Sequence, residues 1–251
     1  MITLSDVSKI YSLDKERQVI AVENINLQIE REEFTCIIGA SGCGKSTLLY
    51  LISGLIPPTT GEIKVDGEVI RGPTAKCGMV FQADSVFPWL TVERNVRFGP
   101  ELRDLSKDLC QSIARRYINL VGLQGFEDLY PKELSGGMKK RVDVARAFAN
   151  DPAILLMDEP FGALDALTKE HLQQELLKIW DEERKTVLFV THDLEEAIFL
   201  ASKVIVMSLA PNTVQKIIEI PFERPREAIL KTTPEFQGYR RQLWALLETD
   251  K

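Results

Sequence analysis

The chain has 251 residues, a formal net charge of -6 at pH 7, 45% hydrophobic residues and 27% charged ones. This suits one globular domain with an inserted lobe, with enough apolar material for a core that needs no covalent staple. The acidic balance excludes a chain-wide attraction to nucleic acid, and no apolar run approaches the roughly 18 residues of a membrane-spanning helix.

The N-terminus has no basic stretch followed by an apolar one, so no leader peptide is expected. Four cysteines, Cys36, Cys43, Cys77 and Cys110, form no C-x-x-C pair, and histidines are scarce. Neither a metal cluster nor a disulfide framework is expected. Short apolar runs at residues 2–7 and 25–29 predict strands with short links, hence an antiparallel β edge.

A third run, 35–38, leads into Gly39-Ala40-Ser41-Gly42-Cys43-Gly44-Lys45-Ser46, which matches G-x-x-x-x-G-K-[ST]; Thr47 then opens a helical pattern over 47–52. Strand, glycine-rich turn and helix start in that order make a phosphate cradle. The glycines let backbone N–H groups turn inward, and the helix presents its positive dipole end to the same anion. Lys45 supplies charge for the β- and γ-phosphates, and the Ser46 hydroxyl suits Mg²⁺. Cys43, at a helix N-terminus beside Lys45, is expected to have a lowered thiol pKa and to be open to alkylation. This motif alone specifies a nucleoside triphosphate and leaves kinases, GTPases, helicases and transport ATPases open.

Strands are next predicted at 62–65 and 78–81. Residues from about 83 to 150 hold helical patterns around 94–97 and 106–121, read as a helical lobe inserted into an α/β core of about 1–82 and 153–220. Inside the lobe, Leu134-Ser135-Gly136-Gly137-Met138 precedes a helical pattern over 139–149. Ser135 is a good N-cap, and Gly136 and Gly137 expose backbone N–H groups, so this is a second anion-seeking helix tip. The first tip already holds the chain's own nucleotide. The simplest geometry has the second grip the γ-phosphate bound to a second copy, giving a two-fold pair with ATP sandwiched at the joint. The cluster Lys139-Lys140-Arg141 with Arg146 reads as a solvated helix face.

The apolar run Ile154-Leu155-Leu156-Met157 ends in Asp158 and Glu159. As strand neighbours they point to opposite sides and divide the work. Asp158 is assigned to Mg²⁺ and Glu159 to general-base activation of the attacking water. Strands at 187–190 and 204–207 complete an α/β pattern with a largely parallel sheet. A tail of about 221–251 carries an amphipathic helical pattern over 234–247 with Phe236, Leu243, Trp244 and Leu247.

The phosphate loop, the Leu134-to-Met138 string and the run ending at Glu159, in this order, resemble the nucleotide-binding subunit of ABC transporters. The resemblance spans nearly the whole chain. It implies a P-loop NTPase fold, ATP and Mg²⁺ as ligands, and ATP hydrolysis coupled to transport. It implies that the Tyr11 ring stacks on adenine. Gln82, ending the strand at 78–81, would sense Mg²⁺ and water and relay nucleotide state to the lobe. Asp165, in Phe161-Gly162-Ala163-Leu164-Asp165, would reach across the dimer, and His192, ending the strand after 187–190, would touch the γ-phosphate.

Met138 departs from the usual glutamine. With Phe87-Pro88-Trp89-Leu90-Thr91-Val92 and the segment 221–226, it is similar to the importer branch for nitrate, sulfonate and taurine. That branch implies a membrane permease facing an exposed Phe87 and Trp89, a solute-binding protein acting through the permease, and a peripheral place on the cytoplasmic face of the membrane. The alternative is a non-transport ABC ATPase of DNA repair or translation. Such proteins usually carry long coiled coils or two nucleotide domains in one chain, and this sequence has neither.

Overall fold

A computed structural model describes residues 1–12, 14, 17–162, 164–209 and 213–248. Ala163 and the last three residues of the expected tail lie outside the described residues. Strands β1 (Ile2–Ser12) and β2 (Gln18–Ile29) pair antiparallel, and β3 (Phe34–Gly39) leaves them for a second sheet. β4 (Thr60–Val65) returns to the free edge of β1, and the two-residue β5 (Glu68–Val69) pairs with β4. The expected N-terminal β edge is therefore a four-stranded antiparallel sheet of its own, in the order β2-β1-β4-β5.

The second sheet takes β6 (Cys77–Val80), β7 (Ile154–Asp158), β8 (Thr186–Val190), β9 (Lys203–Met207) and β10 (Val214–Glu219) in the order β10-β9-β3-β8-β7-β6. Its strands run parallel except β10, which pairs antiparallel with β9 at one edge. This matches the expected α/β class.

Continuous apolar runs are what a sheet covered on both faces requires. Successive side chains alternate, so each run feeds two cores. Leu155, Met157, Val187 and Phe189 face one cluster, while Ile154, Leu156, Leu188 and Val190 face the other. The second cluster lies between the sheets and contains the apolar residues of α1 (Lys45–Ile52).

The first cluster is closed by helices. They are α2 (Val92–Leu102), α3 (Lys107–Leu120), α4 (Gly136–Ala149), α5 (Ala166–Glu183), α6 (Leu194–Leu200) and α7 (Pro234–Glu248). Most start at a residue whose side-chain oxygen accepts a backbone N–H: Thr91, Ser106, Ser135, Asp165 and Asp193.

The tail is bound to the core. Arg226 Nη1 donates to Ile198 O, Phe199 O and Ala201 O, and Arg224 Nη2 donates to Leu200 O at 2.7 Å. These arginines satisfy the carbonyls that α6 leaves open at its C-terminus. In α7, Phe236 and Leu243 are fully buried, but Trp244 is 56% exposed, contrary to its expected place on the apolar face. Residues 236 and 243 lie two turns apart on one side, and 244 is turned about 100° away.

Phe236→Ala is expected to lower stability by about 3–5 kcal/mol, and Trp244→Ala by less than about 0.5 kcal/mol, in urea unfolding.

Candidate active site

Four parallel strands, β3, β6, β7 and β8, end at the same sheet edge, the edge at which open α/β sheets bind ligands. The loop after β3 folds tightly. A Cβ on Gly39 would lie 2.6 Å from Cys43 Sγ and 2.7 Å from Met207 O, and Gly44 has φ +94, where a Cβ would lie 2.2 Å from Ala21 O. Only glycine fits either place. Lys45 Nζ donates to Gly39 O and Ala40 O, each at 2.9 Å, so the ammonium sits within the ring of the loop.

A cavity of about 600 Å³ opens above this loop, a size that suits a small ligand. Ser41, Gly42, Lys45, Ser46 and Thr47 line its floor. Tyr11, Val19, Ile20 and Ala21, all from the antiparallel sheet, line one wall, and Gln82, Glu159 and His192 line another. Ala40 and Cys43 back the loop and do not line the cavity.

Strand parity places Asp158. Residues 154, 156 and 158 of β7 point to the α1 side, where Ser46 and Tyr50 stand one turn apart. Ser46 Oγ donates to Asp158 Oδ1 at 3.0 Å, and Tyr50 OH donates to Oδ2 at 3.5 Å. Asp158 is 1% exposed, and burial raises its carboxyl pKa against the lowering effect of the Ser46 hydroxyl. A buried carboxylate beside a hydroxyl is a hard-oxygen donor set that fits a divalent cation.

Glu159 is not a strand residue. It has φ +46, its N–H donates to Val190 O at 3.0 Å, and the chain turns there out of β7. A left-handed turn, not strand alternation, separates the two carboxylates. The turn puts Glu159 between two neighbours: Gln82 Nε2 donates to its Oε2 at 3.2 Å, and His192 Nδ1 lies 3.3 Å from its Oε1. Gln82 and His192 each sit two residues past their strands, which end at Val80 and Val190. On either side of His192, Thr191 Oγ1 donates to the buried Glu196 and Asp193 Oδ1 caps α6.

Other expected residues stand elsewhere. Ser135 and Gly136 are exposed at the start of α4, and Ser135 Oγ accepts from Met138 N–H at 3.2 Å. Asp165 caps α5 by accepting from Thr168 N–H at 3.0 Å, a bond that lowers its carboxyl pKa. A Cβ on Gly137 would lie 2.9 Å from Leu164 Cδ2, so the two helix starts adjoin. None of these residues lines the cavity.

Three expectations are corrected. Cys43 is fully buried, and desolvation raises its thiol pKa despite Lys45. Phe87 is half-buried, tilted 4.7 Å from Phe98 and stacked 5.5 Å from Trp89, which alone stays 69% exposed. The basic cluster is not a solvated face. Lys140 is buried and donates to Phe81 O and Gln82 O, and Arg146 Nη2 pairs with Asp143 at 3.0 Å. Sequence reasoning also missed the wall residues Val19, Ile20 and Ala21, whose one signal is apolar side chains left on an exposed strand.

Residues 22–162 match the family model described as ABC transporter. An uncharacterized ABC transporter ATP-binding protein of Methanocaldococcus jannaschii is 47% identical over 98% of this chain and 91% of its own length.

The chain belongs to the ABC transporter family, as an ATP-binding subunit.

Similar ABC subunits include the nitrate import ATP-binding protein of Synechocystis, 47% identical over 97% of this chain and 94% of its own. The aliphatic sulfonates import ATP-binding protein of Bacillus cereus is 46% identical over 96% of this chain and 94% of its own. A solved ATP-binding cassette, dimeric, in a post-hydrolysis state and bound to ADP and Pi, superposes with a TM-score of 0.80 at 34% identity. That match covers 89% of this ABC subunit and all of the cassette.

In the folded protein at pH 7.5, iodoacetamide is expected to leave Cys43 unmodified and to label it after unfolding, read by peptide mass spectrometry. A raised thiol pKa means less thiolate at that pH, and burial blocks what remains.

Proposed function

We propose that this ABC subunit hydrolyses ATP at a joint between two copies and thereby drives import of a small anion of the nitrate, sulfonate or taurine class. The observation that carries the joint is a division of labour. The phosphate loop, Gln82, Glu159 and His192 share one cavity, while the Ser135 tip lies outside it. A helix tip with free N–H groups and no ligand in its own chain suits the nucleotide of a second copy. The dimeric state of the solved cassette supports the same reading. The import branch is supported by the nitrate and sulfonate relatives, which align over almost the full chain.

In this reading the Tyr11 ring stacks on the base, and Lys45 moves from the loop carbonyls to the β- and γ-phosphates. Ser46 and Asp158, with Gln82 beside them, would hold Mg²⁺, which neutralises phosphate charge when bound. Glu159 takes the proton of the attacking water, and its contact with Gln82 and His192 aims the carboxylate. His192 and Lys45 stabilise the equatorial oxygens. Ser135 and Gly137 of the partner copy complete the γ-phosphate shell, and Asp165 reaches across the joint. ATP then binds the closed pair far better than the open one, which is the requirement for driving a conformational change.

The receiver of that motion is a permease, docked where Trp89 projects from the turn before α2, on the proposed lobe of about 83–150 inserted in the α/β core. No helix among the described residues is long and apolar enough to cross a membrane, which fits a subunit held peripherally by the permease.

Glu159→Gln is expected to bind ATP normally, lose about 10²–10⁴ in turnover and accumulate as an ATP-bound dimer. Light scattering after size exclusion checks this, and a monomer with ATP bound would contradict the joint. Tyr11→Ala should weaken ATP and GTP about equally, by roughly 1–3 kcal/mol, because stacking needs only a π-face. Equilibrium titration measures both.

A further inference from the structure

Three side chains of α4 reach back to the segment that follows β6. Lys140 Nζ donates to Phe81 O and, at 2.9 Å, to Gln82 O. Asp143 accepts from Ser85 N–H at 3.0 Å and from Ser85 Oγ at 2.8 Å, and Arg146 Nη1 donates to Ser85 O at 2.8 Å. The segment carrying Gln82 is thus fastened to a helix at two points.

The first fastening is chemically expensive. Lys140 is 3% exposed, and its ammonium makes no ion pair among the described residues. Burying an ammonium is costly unless hydrogen bonds replace its water. Here the replacements are two peptide carbonyls, held by charge-assisted bonds about twice as strong as neutral ones. One belongs to Gln82, whose own side chain donates to Glu159 Oε2 at 3.2 Å. The same helix begins at the Ser135 cap. A short relay therefore runs from the helix tip through Lys140 and Gln82 to Glu159.

We propose that Lys140 is a positioning residue: it fixes the main chain of Gln82 to α4, so that engagement of the Ser135 tip with the second copy's ATP sets the Gln82–Glu159 contact in its own site. This rests on the sandwich reading above and extends it. Each copy senses, through one rigid helix, whether the other nucleotide is in place before its own water is aimed. Coupling requires a single element whose position both sites bias, and in this proposal α4 is that element.

The test is a double-mutant cycle on the full-length subunit. Lys140→Met removes the donor at similar length, and Lys140→Gln keeps one amide donor and carries the cycle if the methionine variant does not fold. Each is made alone and with Gln82→Ala, and kcat and KM for MgATP are measured. ATP-driven dimerisation is followed with each Lys140 change in the Glu159→Gln background.

Lys140→Met is expected to lower kcat about tenfold, as a coupling residue does, with KM within about twofold and the dimer retained. Gln82→Ala should cost a similar factor, and the double variant no more than Gln82→Ala alone. Lys140→Gln should recover part of the loss. An equal further loss when Gln82 is already alanine would overturn the proposal, as would loss of the dimer. Unchanged kcat in Gln82→Ala would remove both Gln82 and the relay while leaving the sandwich intact. Failure of Glu159→Gln alone to dimerise would instead strike the sandwich.

Discussion

Parallel strands deliver their carboxyl ends to one edge, and the chemistry of this subunit depends on that. β3, β6, β7 and β8 each hand over to a turn within a residue or two, and those turns carry the phosphate loop, Gln82, Glu159 and His192. Segments from residues 39 to 192 meet in one cavity because the sheet aligns their ends. Parity within β7 then sends Asp158 toward α1 and its Ser46, and a single left-handed residue releases Glu159 toward the open side. Such a φ is uncommon outside glycine and carries strain, which the surrounding strands hold in place.

The same edge concentrates charge that burial should discourage. Asp158 and Lys140 are both almost wholly enclosed, and among the described residues neither makes a direct ion pair. Hydroxyls and peptide carbonyls satisfy them instead. An apolar residue at either place would pack at lower cost. Both proposed roles, the cation ligand and the positioning residue, thus fall where local stability is given up.

How much of this was legible depends on how local each signal is. The strand–turn–helix around the phosphate loop and the helix start at Ser135 were readable because their spacing is set by the turns they make, whereas Glu159, read as a strand neighbour of Asp158, is a left-handed turn residue. Ser135 announced its helix start by side-chain chemistry alone, whereas the caps at Asp165 and Asp193 came to light only in the fold. β10 was not read as a strand: Val214–Glu219 is half polar and mostly exposed, and it takes its pairing at the sheet edge from the preceding β9. Lys140 looked like solvent-facing charge because the carbonyls it meets are some sixty residues away in sequence. Cys43 misled for the opposite reason. Its neighbours in sequence favour thiolate, but the folded loop buries it under Gly39. Trp244 shows that an apolar pattern without a known partner surface does not say which residues are covered.

The bonds from Arg224 and Arg226 to the end of α6 constrain how this subunit can be built upon. The helix whose carbonyls they cap follows directly on the His192 turn, so the tail braces the catalytic edge from behind. Removing the chain beyond residue 220 would strip those carbonyls of their partners. The segment from 221 to 248 thus behaves as an integral wall of the fold and not as a detachable linker.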